Sequence, residues 1–153
     1  AGFMRDTIDV AGHLESSAPA RFSGSVDAAV SFVAELRRRY PKALILVNNG
    51  LPLLPRIGPQ IDGIVVEDLY TRCMPGREPC GPPPRAGDEA KEQQLKSFAA
   101  SGKPVFVLLY SRLSERDSRW VKRAVARARA NGFRPYLTTP TLERFGIVDP
   151  GGR

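Results

Sequence analysis

The sequence contains few of the residues that usually hold metal ions. His13 is its only histidine, and Cys73 and Cys80 are its only cysteines. A structural zinc site needs about four such ligands at short, paired spacings, and neither a second cysteine pair nor a second histidine is present. The sequence also contains no glycine-rich phosphate loop. We therefore expect no metal and no cofactor.

Long hydrophobic runs are absent as well. No apolar stretch approaches the ~20 residues that cross a bilayer, so we expect no membrane span. With 153 residues, 42% of them hydrophobic and 25% charged, the chain suits one domain over residues 1–153. The sequence begins at Ala1 without an initiator methionine or a signal-peptide pattern, and we expect that truncation has removed an upstream part.

Acidic residues are scarce relative to basic ones. The formal charge is +7, and the basic residues are eighteen arginines and only five lysines. Their densest run, residues 112–134, coincides with one amphipathic helical pattern. Aromatic residues are not interleaved with it as a base-stacking surface requires. We therefore interpret the run as a solvated helix face and expect no nucleic-acid partner; a basic nucleic-acid-associated α/β domain is the disfavoured alternative.

The two cysteines flank the segment MPGREP in a loop rich in proline and glycine. A local disulfide between Cys73 and Cys80 is geometrically possible and fits an exported protein. Two free thiols are equally consistent with the pattern. The surrounding stretch, residues 68–86, is the one long segment without period, and we expect it to form an irregular excursion over a cleft.

Five short apolar runs alternate with segments of helical period. The runs span residues 2–8, 43–47, 63–66, 104–110 and 133–138. The first helical stripe spans 26–36, with Ser25 as the expected N-cap. A second helix is expected over 88–102, and a third after a capping box formed by Ser114 and Asp117. Strands alternating with helices in this way predict an α/β fold, a parallel sheet covered by helices.

In parallel α/β folds the ligand site lies at the carboxyl ends of the strands. The residues found there are carboxylates, amides and hydroxyls, namely Asp6 and Asp9, Asn48 and Asn49, Glu67 and Asp68, Tyr110 and Ser111, and Thr138 and Thr139. Sugar hydrolysis needs such groups, because one carboxyl must donate a proton to the leaving oxygen while another attacks or activates water. The pattern is therefore compatible with sugar hydrolysis.

The sequence resembles the glycoside hydrolase family of endo-α-1,4-polygalactosaminidases. The resemblance rests on five segments that occur in order: FMRDTID, ALILVNNGLPLLP, IDGIVVEDLYTR, PVFVLLYSR and GFRPYLTT. It implies a (β/α)8 barrel of which this chain holds strands four to eight, and hydrolysis of α-1,4-linked galactosamine or N-acetylgalactosamine polysaccharide outside the cell or in the periplasm. The polysaccharide is the implied partner.

The resemblance also implies the site residues. Asp6, after strand four, is the implied nucleophile, and Glu67, after strand six, is the implied general acid/base of a retaining mechanism. Asp9, Asn48, Asn49 and Tyr110 match positions near the sugar-binding cleft and are the expected substrate-binding residues. Glu67 follows the apolar run IVV, and an apolar setting favours the protonated carboxyl that a proton donor needs. A retaining enzyme requires the two carboxyl groups ~5–5.5 Å apart.

The sequence departs from the family pattern in two respects. Arg5 stands where a hydrophobic residue is expected before the Asp of strand four, and the first three barrel strands are absent. We expect that activity needs the missing N-terminal half of the barrel. A non-catalytic carbohydrate-binding remnant of such an enzyme is therefore an alternative function.

Overall fold

The computed structural model describes residues 1–73, 80–82 and 88–142. Its strands are β1 Gly2–Arg5, β2 Leu44–Asn48, β3 Gly63–Val66, β4 Val105–Tyr110 and β5 Arg134–Thr138. Its α-helices are α1 Val10–Ser17, α2 Pro19–Phe22, α3 Ser25–Arg39, α4 Leu54–Ile57, α5 Asp88–Ala99 and α6 Arg119–Ala130. Short 3-10 helices span Leu51–Leu53, Gly58–Gln60 and Leu113–Glu115.

The strands form one sheet in the order β1-β2-β3-β4-β5, and its described pairings are parallel. The predicted α/β class is therefore confirmed. By contacts, the chain divides into two compact units, Ala1–Val65 and Val66–Arg153. Each unit carries its own set of candidate residues.

In the first unit, alternation along the strands separates buried from open side chains. Ile45 and Val47 of β2 are fully buried, whereas Leu46 between them is only partly covered. The register Met4↔Leu46 and Arg5↔Val47 brings Asp6 level with Asn48. All four residues of β1 are exposed, so Arg5 is not buried, and its departure from the family pattern carries no desolvation penalty.

A charged link ties α3 to the beginnings of the strands in this unit. Arg37 forms an ion pair with Asp62, and its guanidinium also donates to the carbonyl oxygens of Gln60 at 2.8 Å and Ala43 at 2.8 Å. Asp62 in turn accepts from the Ile45 N–H at 2.7 Å. This network lies at the amino ends of β2 and β3 and stabilises the unit away from the candidate residues.

In the second unit, α6 buries an apolar stripe. Val121, Ala124 and Ala128 are buried, whereas the basic side chains Arg119, Lys122, Arg123, Arg127 and Arg129 are exposed. The prediction that these basic residues form an exposed helix face is confirmed. The predicted capping box was wrong: Ser118 is the N-cap and accepts from the Val121 N–H, while Ser114 lies in a 3-10 helix.

The predicted cap of α3 was also wrong. The N-cap is Gly24, at φ 81°, and Ser25 is the first helical residue, whose hydroxyl donates to the Phe22 carbonyl at 2.7 Å. The preceding short helix α2 explains the difference, because its last carbonyls are within reach of the serine. Glycine suits the left-handed conformation that joins the two helices.

β1 is the end strand among those described, and apolar side chains line it. Met4 is 58% exposed and Phe3 39% exposed.

Exposed apolar edge strands template self-association, so we expect this chain, expressed alone, to form oligomers or aggregates. Met4→Lys should shift it towards monomer in analytical ultracentrifugation, because an edge lysine opposes strand pairing. Phe32→Lys, which removes an exposed apolar side chain from α3, is the matched control and should have little effect; a monodisperse parent monomer would contradict the prediction.

Candidate functional site

In the first unit, Asp6 and Asn48 are brought together directly. The Asn48 side-chain amide donates to Asp6 Oδ1 at 2.9 Å, and the Thr7 N–H donates to the same oxygen at 2.7 Å. Asn48 is buried, at 6% exposed, whereas Asp6 is exposed. One of the two donors, Asn48, comes from the next strand, and the other is the N–H of the residue after Asp6. The orientation of the Asp6 carboxylate is therefore set by the backbone and by the geometry of the sheet.

The same backbone feature recurs just beyond three strands. Thr7, Asn49 and Asp68 have φ of 53°, 56° and 54°, and each directly follows one of the candidate residues Asp6, Asn48 and Glu67. The left-handed conformation is costly for a β-branched threonine, whereas asparagine and aspartate tolerate it better than most residues. Such strain typically persists where the surrounding structure fixes a functional residue.

The turn after β2 depends on a glycine. Gly50 has φ 76°, and a Cβ atom built on it would lie 2.4 Å from Cγ2 of the buried Ile8. Asn49 donates its N–H to the Val65 carbonyl at 2.7 Å. The predicted turn Asn48-Asn49-Gly50 is therefore present, with a close approach between the turn and the segment after β1. The role of Asn49 in sugar binding stays a prediction.

Asp9 lies at the start of α1. It is exposed, has helical φ and ψ of −66° and −22°, and its side chain makes no capping hydrogen bond. The helix was not predicted from the sequence, because its apolar residues show little helical periodicity. In the structure none of its residues is buried. The substrate-binding role of Asp9 likewise stays a prediction.

In the second unit, Glu67 directly follows β3 and is half-buried. Its neighbour Asp68 is half-buried too. Burial raises the pKa of the Asp68 carboxyl; the charge of Glu67 adds to this effect, while Arg72 and Lys91 oppose it. A second carboxyl that resists ionisation thus adjoins the proposed acid/base.

Tyr110 ends β4 and is buried, at 9% exposed. Its N–H donates to the Thr71 hydroxyl oxygen at 2.6 Å, in a wholly buried contact. Sequence reasoning left open whether the Tyr110 ring packs with its hydroxyl in water, and the low exposure favours packing of the ring. Thr71 was not singled out from the sequence, since no local pattern signals a contact across 39 positions.

Tyr70 is a second residue that sequence reasoning missed. Its hydroxyl donates to Glu92 of α5 at 2.9 Å and accepts from the Asn131 amide at 2.8 Å. Arg127 of α6 bonds the same Glu92 oxygen at 2.8 Å, and its guanidinium lies 5.2 Å from the Tyr70 ring centroid. Burial raises the pKa of Tyr70, and the Glu92 carboxylate raises it further although Asn131 opposes this. The hydroxyl is therefore a fixed structural donor.

Cys73 and Cys80 form a disulfide, with Cα atoms 4.4 Å apart. Beside it, Arg72 and Gly81 form an isolated antiparallel bridge, with N–H to O distances of 2.7 and 2.9 Å. Of the two alternatives left open by the sequence, the disulfide is therefore the one found. Most of the predicted excursion, residues 74–79 and 83–87, lies outside the described residues.

Within residues 1–73, 80–82 and 88–142, no cluster of three or more His, Cys, Asp or Glu side chains could hold a metal ion. In the same ranges, no helix is long and apolar enough to cross a membrane. The candidate residues are thus carboxylates, amides and a tyrosine. A parallel α/β sheet with such groups beyond the carboxyl ends of its strands belongs to the α/β class, and it carries side chains of the kinds that sugar hydrolysis needs.

Comparison with known proteins specifies the family. The profile of glycoside hydrolase family GH114 matches residues 2–152, and the chain belongs to that family. The glycoside hydrolase domain of PelA from Pseudomonas aeruginosa is 27% identical and superposes with a TM-score of 0.80. A variant of that domain with one glutamate replaced by alanine is 26% identical, also with a TM-score of 0.80.

Both matches cover 97% of this chain and 57% of the PelA chain, so the chain spans little more than half of those domains. No curated protein matches the chain. The likeness confirms the predicted fold class, part of a barrel with parallel strands and outer helices.

The disulfide yields a direct prediction. Mass spectrometry without reductant should show the chain lighter by two hydrogens, about 2 Da, and a short loop of this kind is expected to contribute roughly 2–3 kcal/mol. Replacing both cysteines by serine should therefore lower the melting temperature, with reductant having the same effect on the parent and none on the variant. Complete alkylation of both thiols under oxidising conditions would refute the pairing.

A second prediction concerns pH. Because the folded-state pKa of Asp68 is raised, the unfolded chain ionises first and stability is lost as pH rises above the ordinary carboxyl range. Asp68→Asn removes that penalty and keeps a residue that tolerates positive φ. We expect its melting temperature to exceed that of the parent at pH 7. The difference should vanish near pH 3; an equal difference at both pH values would contradict the assignment.

Proposed function

We propose that this chain carries the catalytic carboxylates of a retaining glycoside hydrolase that cleaves α-1,4-linked galactosamine or N-acetylgalactosamine polysaccharide. Membership of family GH114 supports hydrolysis of a glycosidic bond. The observation that carries the proposal is the Asp6 carboxylate, held through one oxygen by Asn48 and by the Thr7 N–H.

That arrangement suits a nucleophile. Both hydrogen bonds reach Oδ1, and Oδ2 accepts none from the residues that the structure describes. The second oxygen is thus the one available to an anomeric carbon, while the first is fixed in direction. Pre-set orientation of a reacting group lowers the barrier, because its freedom is lost on folding rather than at the transition state.

The proposed reaction has two steps. Asp6 attacks the anomeric carbon while Glu67 donates its proton to the glycosidic oxygen, so the C–O bond breaks and a glycosyl–Asp6 ester forms. Glu67, now ionised, then takes a proton from water, whose oxygen attacks the same carbon and releases Asp6. In the intact enzyme the two carboxyl groups should lie ~5–5.5 Å apart.

The remaining candidate residues are proposed to bind the sugar chain. Asn48 and Asn49 supply amide groups that can bond hydroxyls, and Tyr110 is proposed to contribute a hydroxyl at the end of β4. Asp9 is exposed, and its carboxylate suits a substrate that carries protonated amino groups. These roles rest on the position of each residue just beyond a strand, together with the family resemblance.

Activity is proposed to require further barrel strands, and the site of action to lie outside the cell or in the periplasm. The first point is supported by the coverage of only 57% of the PelA domain. The second is supported by the disulfide, since such bonds persist in oxidising compartments.

Substitution of the two carboxylates tests the mechanism. In the full-length protein, Asp6→Asn and Glu67→Gln should each lower kcat by at least about 1,000-fold, because each removes a group that acts in the transition state. Oligosaccharide binding, measured by calorimetry, should persist. Asp27→Asn and Glu35→Gln alter carboxylates on α3 and are the matched controls, expected to retain activity. Near-parental turnover in either site variant would refute the assignment.

A carbohydrate-binding function without turnover is the second candidate. It is supported by the coverage of 57% of the PelA chain, since this chain carries only part of the barrel on which a catalytic site would be built. The same measurements separate the two candidates: saturable oligosaccharide binding by a full-length parent with no detectable hydrolysis would favour the binding function.

A further inference from the structure

The segment that follows Glu67 is unusually well buried for a connection beyond a strand. Leu69, Tyr70 and Thr71 are 1%, 6% and 0% exposed, whereas such connections normally run over the surface. Burial at this level means that backbone and side-chain polar groups there must find partners. Two of those partners show what the segment holds in place.

The first partner is the backbone of Tyr110. Successive N–H groups of a strand point to opposite sides, and Ser111 donates its N–H to the Thr138 carbonyl at 3.0 Å, on the β5 side. The Tyr110 N–H therefore points away from β5. The Thr71 hydroxyl accepts it at 2.6 Å, so a side chain of the segment after Glu67 satisfies this backbone group.

The second set of partners holds Tyr70, the residue before Thr71. Its hydroxyl is bonded to Glu92 of α5 and to Asn131 at the end of α6. The segment after Glu67 is thus attached to β4 through Thr71 and to two helices through Tyr70. Glu67 lies between β3, which precedes it, and this fixed stretch, which begins two residues later at Leu69.

We propose that Thr71 is a positioning residue for Glu67, acting through its hydrogen bond to the Tyr110 N–H. The inference rests on the proposed function, in which Glu67 is the general acid/base. The bond sets the spacing between the segment that carries Glu67 and the end of β4 that carries Tyr110. A proton donor must lie within hydrogen-bond reach of the leaving oxygen, and a displacement of about 1 Å can cost about 100-fold in rate.

Paired variants isolate the hydroxyl. Thr71→Val keeps the shape and removes the acceptor, whereas Thr71→Ser keeps the acceptor and removes a methyl group. In the full-length protein, we expect Thr71→Val to lower kcat on galactosamine oligosaccharide by about 10- to 100-fold with KM little changed. Thr71→Ser should stay within about threefold of the parent. Should Thr71→Val fail to fold, Thr71→Cys, whose thiol is a weak acceptor, carries the same comparison.

Leaving-group dependence distinguishes positioning of the acid from general damage. In a dinitrophenyl glycoside of the same oligosaccharide the phenolate leaves without protonation, so loss of acid catalysis hardly slows the first step, which kcat/KM reports. Thr71→Val should therefore lose kcat/KM on the unactivated oligosaccharide and retain it, within about threefold, on the activated glycoside. An equal loss on both substrates, or no loss on either, would overturn the inference.

Two further variants complete the design. Val105→Ala leaves a cavity at the far end of β4 and should lower the melting temperature without changing the ratio of the two activities. Glu67→Gln should show this difference between the two substrates most strongly in kcat/KM, since its kcat also falls through loss of the base of the second step. If Glu67→Gln lacks the difference, the proposed function fails; if Glu67→Gln shows it and Thr71→Val does not, only the role of Thr71 fails.

Discussion

Parallel alignment of the strands is the constraint on which the candidate residues depend. When strands run in one direction, every chain segment that leaves a carboxyl end does so at the same edge of the sheet. Register then decides which side chains become neighbours, and the pairing of Arg5 with Val47 makes Asp6 the neighbour of Asn48. Their hydrogen bond is a consequence of sheet geometry rather than of local sequence.

The candidate residues and the network of Arg37 and Asp62 lie at opposite ends of the strands in the first unit. At the amino ends of β2 and β3, Arg37 and Asp62 join helix, strand and turn in a network that satisfies several backbone groups. At the carboxyl end, Thr7 and Asn49 keep positive φ angles that cost free energy. The first arrangement offsets strain in the second, as expected where a fold supports a functional site.

The sequence was sufficient for the five strands and for the residues that end them, because apolar runs bounded by polar residues are local patterns. It was insufficient for α1, whose apolar positions face no buried core, and for the caps of α3 and α6, which depend on neighbouring short helices. Thr71 was missed for a different reason. Its partner is the backbone of Tyr110, and a backbone N–H leaves no trace in the sequence at that distance.

The left-handed residue after each of Asp6, Asn48 and Glu67 has a consequence for how this protein can vary. A left-handed residue directly after a candidate side chain turns the backbone there, and the backbone thereby sets the direction of that side chain. Substitutions tolerated at these three positions should thus be glycine, asparagine and aspartate. Of the three residues now present, the threonine after Asp6 has the highest free-energy cost in this conformation. Laboratory evolution for stability should find Thr7 early, because glycine, asparagine or aspartate there keeps the left-handed backbone that directs Asp6 at a lower cost in free energy.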